Sequence, residues 1–215
     1  MKFFAAGGAA TSLTVLQFFE DIGIPICEGY GLTETSPVIS SGSVNMEPGA
    51  NTFETRRLGC VGVPLKGNTV RIIDPHTLAP KGDDEEGEIC QAGANVMTGY
   101  RNNKAANEEV FFHADGKKFF RTGDLGKMVE GKFLKVTGRI KEQFKLENGK
   151  YVVPAPLEDA ITRSQFIAQS LLFGDNKPHT TCLIVPDILA LREWGAKKGM
   201  PDMELSEYVH SFSCL

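Results

Sequence analysis

The first 57 residues show a helical pattern of apolar positions followed by a strand pattern. Leu13–Asp21 carries apolar side chains at helical spacing. Thr11 and Ser12 directly precede it and are residue types that favour helix N-caps. Gly23 is expected to end this helix, and residues 24–27 predict a short buried strand that leads into a loop rich in Gly and Thr. A helix, a strand and a Gly-rich loop in this order predict the edge of a parallel α/β sheet.

Residues 58–137 show the alternation that is typical of short strands. Four segments of β-forming residues are separated by turns rich in Gly, Asp and Pro, and they lie at 70–73, 87–90, 118–121 and 132–136. This succession predicts a small sandwich or β-barrel-like subdomain. A helical insert is expected at 104–112.

Residues 138–215 return to a mixed pattern, which predicts a small C-terminal α+β domain. Asn148 and Gly149 are typical of a hairpin turn, and Pro154 is expected near the start of a helix. Strands at 166–173 and 180–185 and a last helix capped by Asp187 complete the pattern. The predicted fold is therefore α/β, in three parts with boundaries at 1–57, 58–137 and 138–215.

Composition and charge exclude several classes of function. The 215 residues carry 27 acidic and 23 basic side chains without a basic block, which argues against a nucleic-acid partner. No run of about 18 apolar residues occurs, so no transmembrane helix is expected. The five cysteines are far apart and form no C-x-x-C pair, which argues against a zinc site or a disulfide framework and indicates a reducing, intracellular compartment.

The segment EGYGLTETSP at 28–37 carries the strongest chemical signal. Gly31 allows the backbone to approach a ligand closely, and the Tyr30 ring can stack on a purine. The Thr33 hydroxyl can donate to a phosphate oxygen, and the Glu34 carboxylate is a ligand type that Mg²⁺ prefers. A Gly-rich turn with solvated hydroxyls is the alternative, since a lone Gly-x-Gly is weak evidence.

Two later segments add candidate residues. The segment FRTGDL at 120–125 places Asp124 at an expected tight turn after a strand, where its carboxylate can accept hydrogen bonds from ribose hydroxyls. The segment TGRIK at 137–141 places Arg139 where a guanidinium can clamp a phosphate or a ribose, at a Gly-containing junction that suits a hinge. Taken singly, an ordinary turn is the simpler interpretation of each segment.

In this order and at these separations, the three segments resemble the adenylate-forming enzymes. That superfamily includes acyl-CoA synthetases, the adenylation domains of peptide synthetases and firefly luciferase. The resemblance covers roughly residues 4–195 and rests on YGLTE at 30–34, RTGDL at 121–125 and GRIK at 138–141, with GGA at 7–9 upstream. The segment FKLENGKYVVP at 144–154 is most similar to long-chain fatty acyl-CoA synthetases and the related acyl-ACP synthetases.

The resemblance implies a fold, a reaction and a nucleotide site. The fold would be a partial adenylate-forming enzyme: the edge of a parallel sheet, a small β-barrel-like subdomain and a truncated C-terminal α+β domain. The reaction would join a long-chain fatty acid to ATP as an acyl-adenylate and then transfer the acyl group to CoA. Gly8 and Ala9 would line the adenine pocket, and Tyr30 would stack on the base, with Gly31 in the same nucleotide-binding segment.

The remaining roles that the resemblance implies concern phosphate, ribose and the second half-reaction. Thr33 would hydrogen-bond the α-phosphate and Glu34 would hold Mg²⁺. Asp124 would accept hydrogen bonds from the ribose hydroxyls, and Arg139 would bind the ribose–phosphate side of the nucleotide. Two lysines complete the set at the start of the last domain: Lys141 would be the hinge, and Lys145 would act in thioester formation.

Two elements of the superfamily do not occur in the sequence. These are a Ser/Thr/Gly-rich phosphate loop ending in Pro-Lys and a C-terminal lysine in a Gly-Lys-Ile/Leu-x-Arg setting. We therefore expect a fragment of a fatty acid–CoA ligase that is inactive alone. An acyl-ACP synthetase and a non-catalytic nucleotide-binding or interaction module are the alternatives. The expected location is intracellular: either cytoplasmic or, because a long-chain fatty acid is insoluble, peripheral to an intracellular membrane.

Overall fold

The computed structural model describes residues 4–8, 11–42 and 54–201. The chain divides into two compact units, Met1–Lys141 and Glu142–Leu215. Both units mix helices with strands, so the predicted α/β class is confirmed. The three-part division into 1–57, 58–137 and 138–215 stays a prediction.

The first sheet of unit one contains the predicted parallel edge. Its four strands lie in the order β1 (Phe4–Ala6), β2 (Ile26–Gly31), β3 (Val38–Ser41) and β4 (Val63–Pro64). β1 and β2 are parallel and are joined by α1 (Leu13–Asp21), the helix predicted from the sequence, whereas the other strand pairs are antiparallel. The Gly-rich loop expected after position 27 begins only after Gly31, because β2 stays paired with β3 up to that residue.

The second sheet of unit one contains β5 (Thr69–Ile73), β6 (Gly87–Ala92), β7 (Phe111–Ala114), β8 (Lys117–Val129) and β9 (Phe133–Arg139). The order is β5-β6-β8-β7, and β9 also pairs with β8. The strand β8 has β6 on one side and first β7, then β9, on the other, so β5 is left as an edge. Among the described strands this sheet is therefore open, and the expected barrel does not close.

The helix α2 (Lys104–Val110) is shorter than the insert expected at 104–112, because the chain already enters β7 at Phe111. One of the buried hydrophobic clusters of unit one lies where its two sheets meet. Ile39 of the first sheet packs with Ile72, Ile89 and Leu134 of the second, and all four are buried. Backbone hydrogen bonds of 2.8 Å join Leu134 to the chain just before β4 and hold the two sheets in register.

Unit two contains the predicted hairpin and a second antiparallel pair of strands. β10 (Phe144–Lys145) pairs with β11 (Tyr151–Val152), and Gly149 takes a φ of 86° in the turn between them. The helix α3 (Pro154–Ile161) precedes the pair β12 (Ile167–Phe173) and β13 (Thr181–Pro186). Asp187 caps α4 (Ile188–Lys197) as predicted, since its Oδ1 accepts a hydrogen bond from Ala190 N at 3.0 Å. Among the described helices, none has the length and apolarity needed to cross a membrane.

Candidate functional site

The three sequence segments meet at one carboxylate. The Tyr30 hydroxyl donates to Asp124 Oδ2 at 2.7 Å, and Arg139 Nε donates to Asp124 Oδ1 at 3.1 Å. Tyr30 and Asp124 are 94 positions apart in the chain, so folding alone brings them together. The resulting cluster joins one residue from each segment that was singled out in the sequence.

The strands of the second sheet set the position of Asp124. Asp124 was expected at a turn, but it lies inside β8, which has 13 residues. The register of β8 and β9 places Asp124 directly opposite Arg139, and irregularities in pairing fall beside it, between Leu125 and Gly126. Gly123 accommodates the local conformation with a φ of 75°. The Gly-Asp pair is therefore an irregular position within a paired strand.

Burial and a neighbouring charge keep the Tyr30 hydroxyl protonated. Desolvation raises the pKa of the Tyr30 hydroxyl far above its ordinary value of 10.0, and the charge of Asp124 raises it further. The hydroxyl therefore stays neutral and donates a hydrogen bond to the carboxylate. The Asp124 side chain is 7% exposed and the Arg139 side chain 62% exposed. A carboxylate has about four acceptor positions, so Asp124 retains capacity for further donors such as ribose hydroxyls.

Arg121, which stands in the second segment, has a structural partner. Its guanidinium donates to Glu88 Oε2 through Nε at 2.8 Å and through Nη2 at 2.6 Å. Glu88 is 2% exposed, and its other oxygen accepts from the backbone N–H of Gly123 at 3.2 Å. Glu88 was not identified from the sequence, although the isolated acid within a buried strand pattern was an available signal.

The turn that carries Thr33 and Glu34 is tightly held. Thr33–Thr35 forms one turn of 3₁₀ helix, with the Thr33 side chain exposed and Thr35 fully buried. The Thr35 hydroxyl lies within hydrogen-bond distance of two carbonyl oxygens, those of Leu32 at 2.9 Å and Pro37 at 2.8 Å, and donates its one hydrogen to either. A Cβ on Gly31 would lie 1.7 Å from the carbonyl oxygen of Pro37. Glycine is thus required at position 31 by close backbone packing, and its predicted role toward the nucleotide stays a prediction.

A second loop, residues 93–100 after β6, holds this turn from the opposite side. Asn95 Nδ2 donates to the Thr35 carbonyl at 2.7 Å, and Met97 N donates to the Glu34 carbonyl at 2.8 Å. The Tyr100 hydroxyl donates to Glu34 Oε1 at 2.9 Å. Sequence reasoning missed these residues, and the polar, glycine-flanked loop after a strand was the signal that could have indicated them.

The other predicted residues lie apart from the Asp124 cluster or outside the described part. Gly8 is exposed, with a φ of 85°, and follows β1 at the carboxyl end that β1 shares with the parallel strand β2. Ala9 lies outside the described residues. Lys141 is the last residue of unit one. Lys145 belongs to β10 of unit two, where its Nζ lies 5.5 Å from the centre of the Tyr151 ring.

Two family models match this chain. One, described as AMP-binding enzyme, covers residues 1–101, and the other, described as AMP-binding enzyme C-terminal domain, covers residues 141–205. The chain belongs to the AMP-binding enzyme family. The order of the two matches follows the two compact units, although their limits differ.

Relatives of this family member include fatty-acid ligases. The chain is 38% identical over 88% of its length to the long-chain-fatty-acid–CoA ligase FadD15 of Mycobacterium bovis. It is 34% identical over 93% of its length to the human long-chain-fatty-acid–CoA ligase 6. It spans only 28% and 27% of these two relatives.

A solved structure of another family member has a matching fold. This structure is O-succinylbenzoate coenzyme A synthetase from Bacillus subtilis, in complex with ATP and magnesium ion. The likeness has a TM-score of 0.69 and 26% identity, and it covers 96% of this chain and 39% of the synthetase.

Proposed function

We propose that this chain forms the ribose-binding and metal-binding part of an ATP-dependent fatty acid–CoA ligase. The observation that supports the proposal most is the meeting of Tyr30, Asp124 and Arg139, one residue from each segment, at a single buried carboxylate. The relatives named as long-chain-fatty-acid–CoA ligases support a long-chain fatty acid as the acyl substrate and CoA as the acceptor. They favour CoA over an acyl-carrier protein.

The proposed reaction first activates a poor electrophile. A carboxylate oxygen attacks the α-phosphorus of ATP, the bond to the β-phosphate oxygen breaks, and pyrophosphate leaves. The acyl group then has AMP as its leaving group, and the thiol of CoA displaces AMP and loses its proton. The protein's part is to fix donors and charges in advance where negative charge builds on the phosphates.

Each residue of the site has a proposed task in this reaction. Asp124 accepts from the ribose hydroxyls while Tyr30 and Arg139 hold its carboxylate in place. The exposed hydroxyl of Thr33 donates to an α-phosphate oxygen. The Glu34 carboxylate fits Mg²⁺, because this ion takes oxygen ligands from one or two carboxylates together with phosphates. When bound, Mg²⁺ neutralises phosphate charge.

Three further assignments stay proposals. Gly8 and Ala9 line the adenine side of the site, an assignment that the carboxyl end of the β1–β2 pair supports for Gly8. Lys141 is the hinge residue whose backbone changes conformation between the two half-reactions. Its place at the end of unit one supports this assignment. Lys145 acts in thioester formation, and its exposed position on β10 suits contact with a substrate.

The proposed location is an intracellular membrane surface. Cys27, Cys60, Cys90 and Cys182 are all free thiols, as is typical of a reducing compartment. A long-chain fatty acid partitions into bilayers, so peripheral contact would bring the site close to its substrate. Cell fractionation with a carbonate wash tests this location. Release of a membrane-bound pool by carbonate is expected, and recovery solely in the soluble fraction would contradict it.

Nucleotide binding by the 215-residue chain tests the assignment of Asp124. We expect AMP to give saturation-transfer NMR signals, and Asp124→Asn to weaken binding about tenfold or more, because it removes a charged acceptor of hydrogen bonds. Asp115→Asn is the matched control, since the Asp115 carboxylate is 75% exposed and pairs with Arg71. Equal AMP affinity for Asp124→Asn and the unsubstituted chain would contradict the ribose role.

Turnover is tested in a chimera that carries this chain in place of the matching segment of the Mycobacterium bovis ligase. We expect palmitate-dependent pyrophosphate release with Mg-ATP, and formation of palmitoyl-CoA when CoA is added. A chimera that folds with a cooperative unfolding transition but releases no pyrophosphate, while the parent ligase does, would count against the proposed activity.

A further inference from the structure

The backbone of Tyr100 is hydrogen-bonded on both sides next to the proposed metal-binding carboxylate. Both of its backbone groups are bound by one side chain: Tyr100 N donates to Asn107 Oδ1 at 2.7 Å, and Asn107 Nδ2 donates to the Tyr100 carbonyl at 2.9 Å. Gly99 makes this approach possible, because a Cβ there would lie 2.8 Å from Asn107 Oδ1. These bonds fix the backbone position from which the Tyr100 side chain extends.

From this fixed position, Tyr100 contacts one oxygen of Glu34. Its hydroxyl donates to Oε1 at 2.9 Å, and the backbone carbonyl of the same glutamate accepts from Met97 N at 2.8 Å. The residues at 97 and 100 thus bind both the main chain and the side chain of Glu34. A glutamate has three side-chain torsions, and this pair of contacts restricts them before any ligand arrives.

We propose that Tyr100 is a positioning residue that orients the Glu34 carboxylate for a divalent cation carried by ATP. The inference rests on the proposed function, since it needs Glu34 to be a metal ligand. Partners that orient a metal-binding carboxylate by hydrogen bonding change metal affinity by about 10–100-fold when they are removed. Tyr100 is half-buried, so the lower end of that range applies here.

The test measures binding of Mn²⁺–ATP to the 215-residue chain by electron paramagnetic resonance. Tyr100→Phe keeps the ring and removes the hydroxyl, and we expect it to weaken Mn²⁺–ATP binding about tenfold. Tyr151→Phe is the matched control, because Tyr151 is an exposed tyrosine of unit two and should bind as the unsubstituted chain does. In the chimera, Tyr100→Phe should raise the Mg²⁺ concentration for half-maximal rate by a similar factor and leave the rate at saturating Mg²⁺ within about twofold.

A double-mutant cycle separates this inference from the proposed function. If Tyr100 acts through Glu34, adding Tyr100→Phe to Glu34→Gln should weaken Mn²⁺–ATP binding no further. Weaker binding for Glu34→Gln but unchanged binding for Tyr100→Phe would overturn the inference and leave the proposed function standing. Unchanged binding for Glu34→Gln, or no binding by the unsubstituted chain, would count against the proposed function itself. A lowered unfolding midpoint for Tyr100→Phe with unchanged Mn²⁺–ATP affinity means a structural role and also overturns the inference.

Discussion

Individual residues in this protein take roles that only their contacts reveal. Arg121 stands in a segment that resembles a nucleotide-binding motif, yet its guanidinium is engaged by the buried Glu88. The same glutamate holds the N–H of Gly123, the residue before Asp124. The conformation at Asp124 therefore depends on Glu88, whose carboxylate binds the backbone of the preceding residue.

Replacing Glu88 tests this dependence at the scale of one residue. Glu88→Gln keeps the shape and removes the charge that Arg121 needs, so we expect a loss of about 1–3 kcal/mol in the free energy of unfolding, measured by urea denaturation. Glu108→Gln is the control, since its pair with Lys104 is exposed on α2 and should cost less than about 0.5 kcal/mol. Equal losses for the two variants would show that burial of Glu88 adds nothing to the contribution of its ion pair to the free energy of unfolding.

At the scale of elements, the hydrophobic pattern predicted helices better than the ends of strands. The helix α1 has its predicted bounds because its periodicity is a local signal, although the Ser12 side chain at the N-cap position makes no capping hydrogen bond. The Gly-Asp pair at 123–124 was interpreted as a turn, since both residue types are common in turns. In the structure β6 pairs with residues on both sides of this pair and β9 pairs with Asp124 itself, so the chain continues as one strand through an irregular position at Gly123.

The turn after β5 provides a test of pH dependence. Asp74 Oδ1 accepts from Thr77 N at 2.9 Å and from His76 N at 3.0 Å, and these bonds lower the pKa of Asp74 from 3.8 to about 2. A lowered pKa in the folded state means that the stabilisation is complete above about pH 4 and is lost as the pH falls towards 2.

We therefore expect Asp74→Asn to flatten the decline of stability between pH 4 and pH 2, measured as the urea midpoint at each pH. Asp115→Asn, which changes an exposed acid of the same unit, is expected to keep the slope of the unsubstituted chain. An unchanged slope in Asp74→Asn would mean that its turn contributes nothing to acid unfolding.

At the scale of the whole molecule, the surface of unit one carries exposed apolar side chains on α1. Leu16 is buried, at 1% exposure, whereas Leu13 and Phe18 on the same helix are 46% and 58% exposed. Exposed apolar side chains of this size favour association of the chain with other apolar surfaces. We therefore expect the isolated 215-residue chain to associate through α1 and to be poorly soluble.

Two substitutions distinguish the exposed side of α1 from its buried side. Phe18→Asp is expected to raise the soluble concentration of the 215-residue chain and to change the unfolding free energy by less than about 0.5 kcal/mol, as is typical of surface positions. Leu16→Asp places a charge in the core and is expected to unfold unit one. Both are measured by light scattering and urea denaturation, and a soluble, folded Leu16→Asp chain would contradict the packing described for α1.

The sequence by itself determined the α/β class, the positions of most helices and strands, and the segments that carry Tyr30, Asp124 and Arg139. These follow from local causes: periodicity, capping residues, turn residues and the side chains of short segments. The tertiary structure decided that the three residues share one carboxylate, that Glu88 engages Arg121, and that residues 93–100 hold the Thr33–Thr35 turn. Those contacts join residues 15 to 94 positions apart, and the pairing of strands together with hydrogen bonds between loops brings them together.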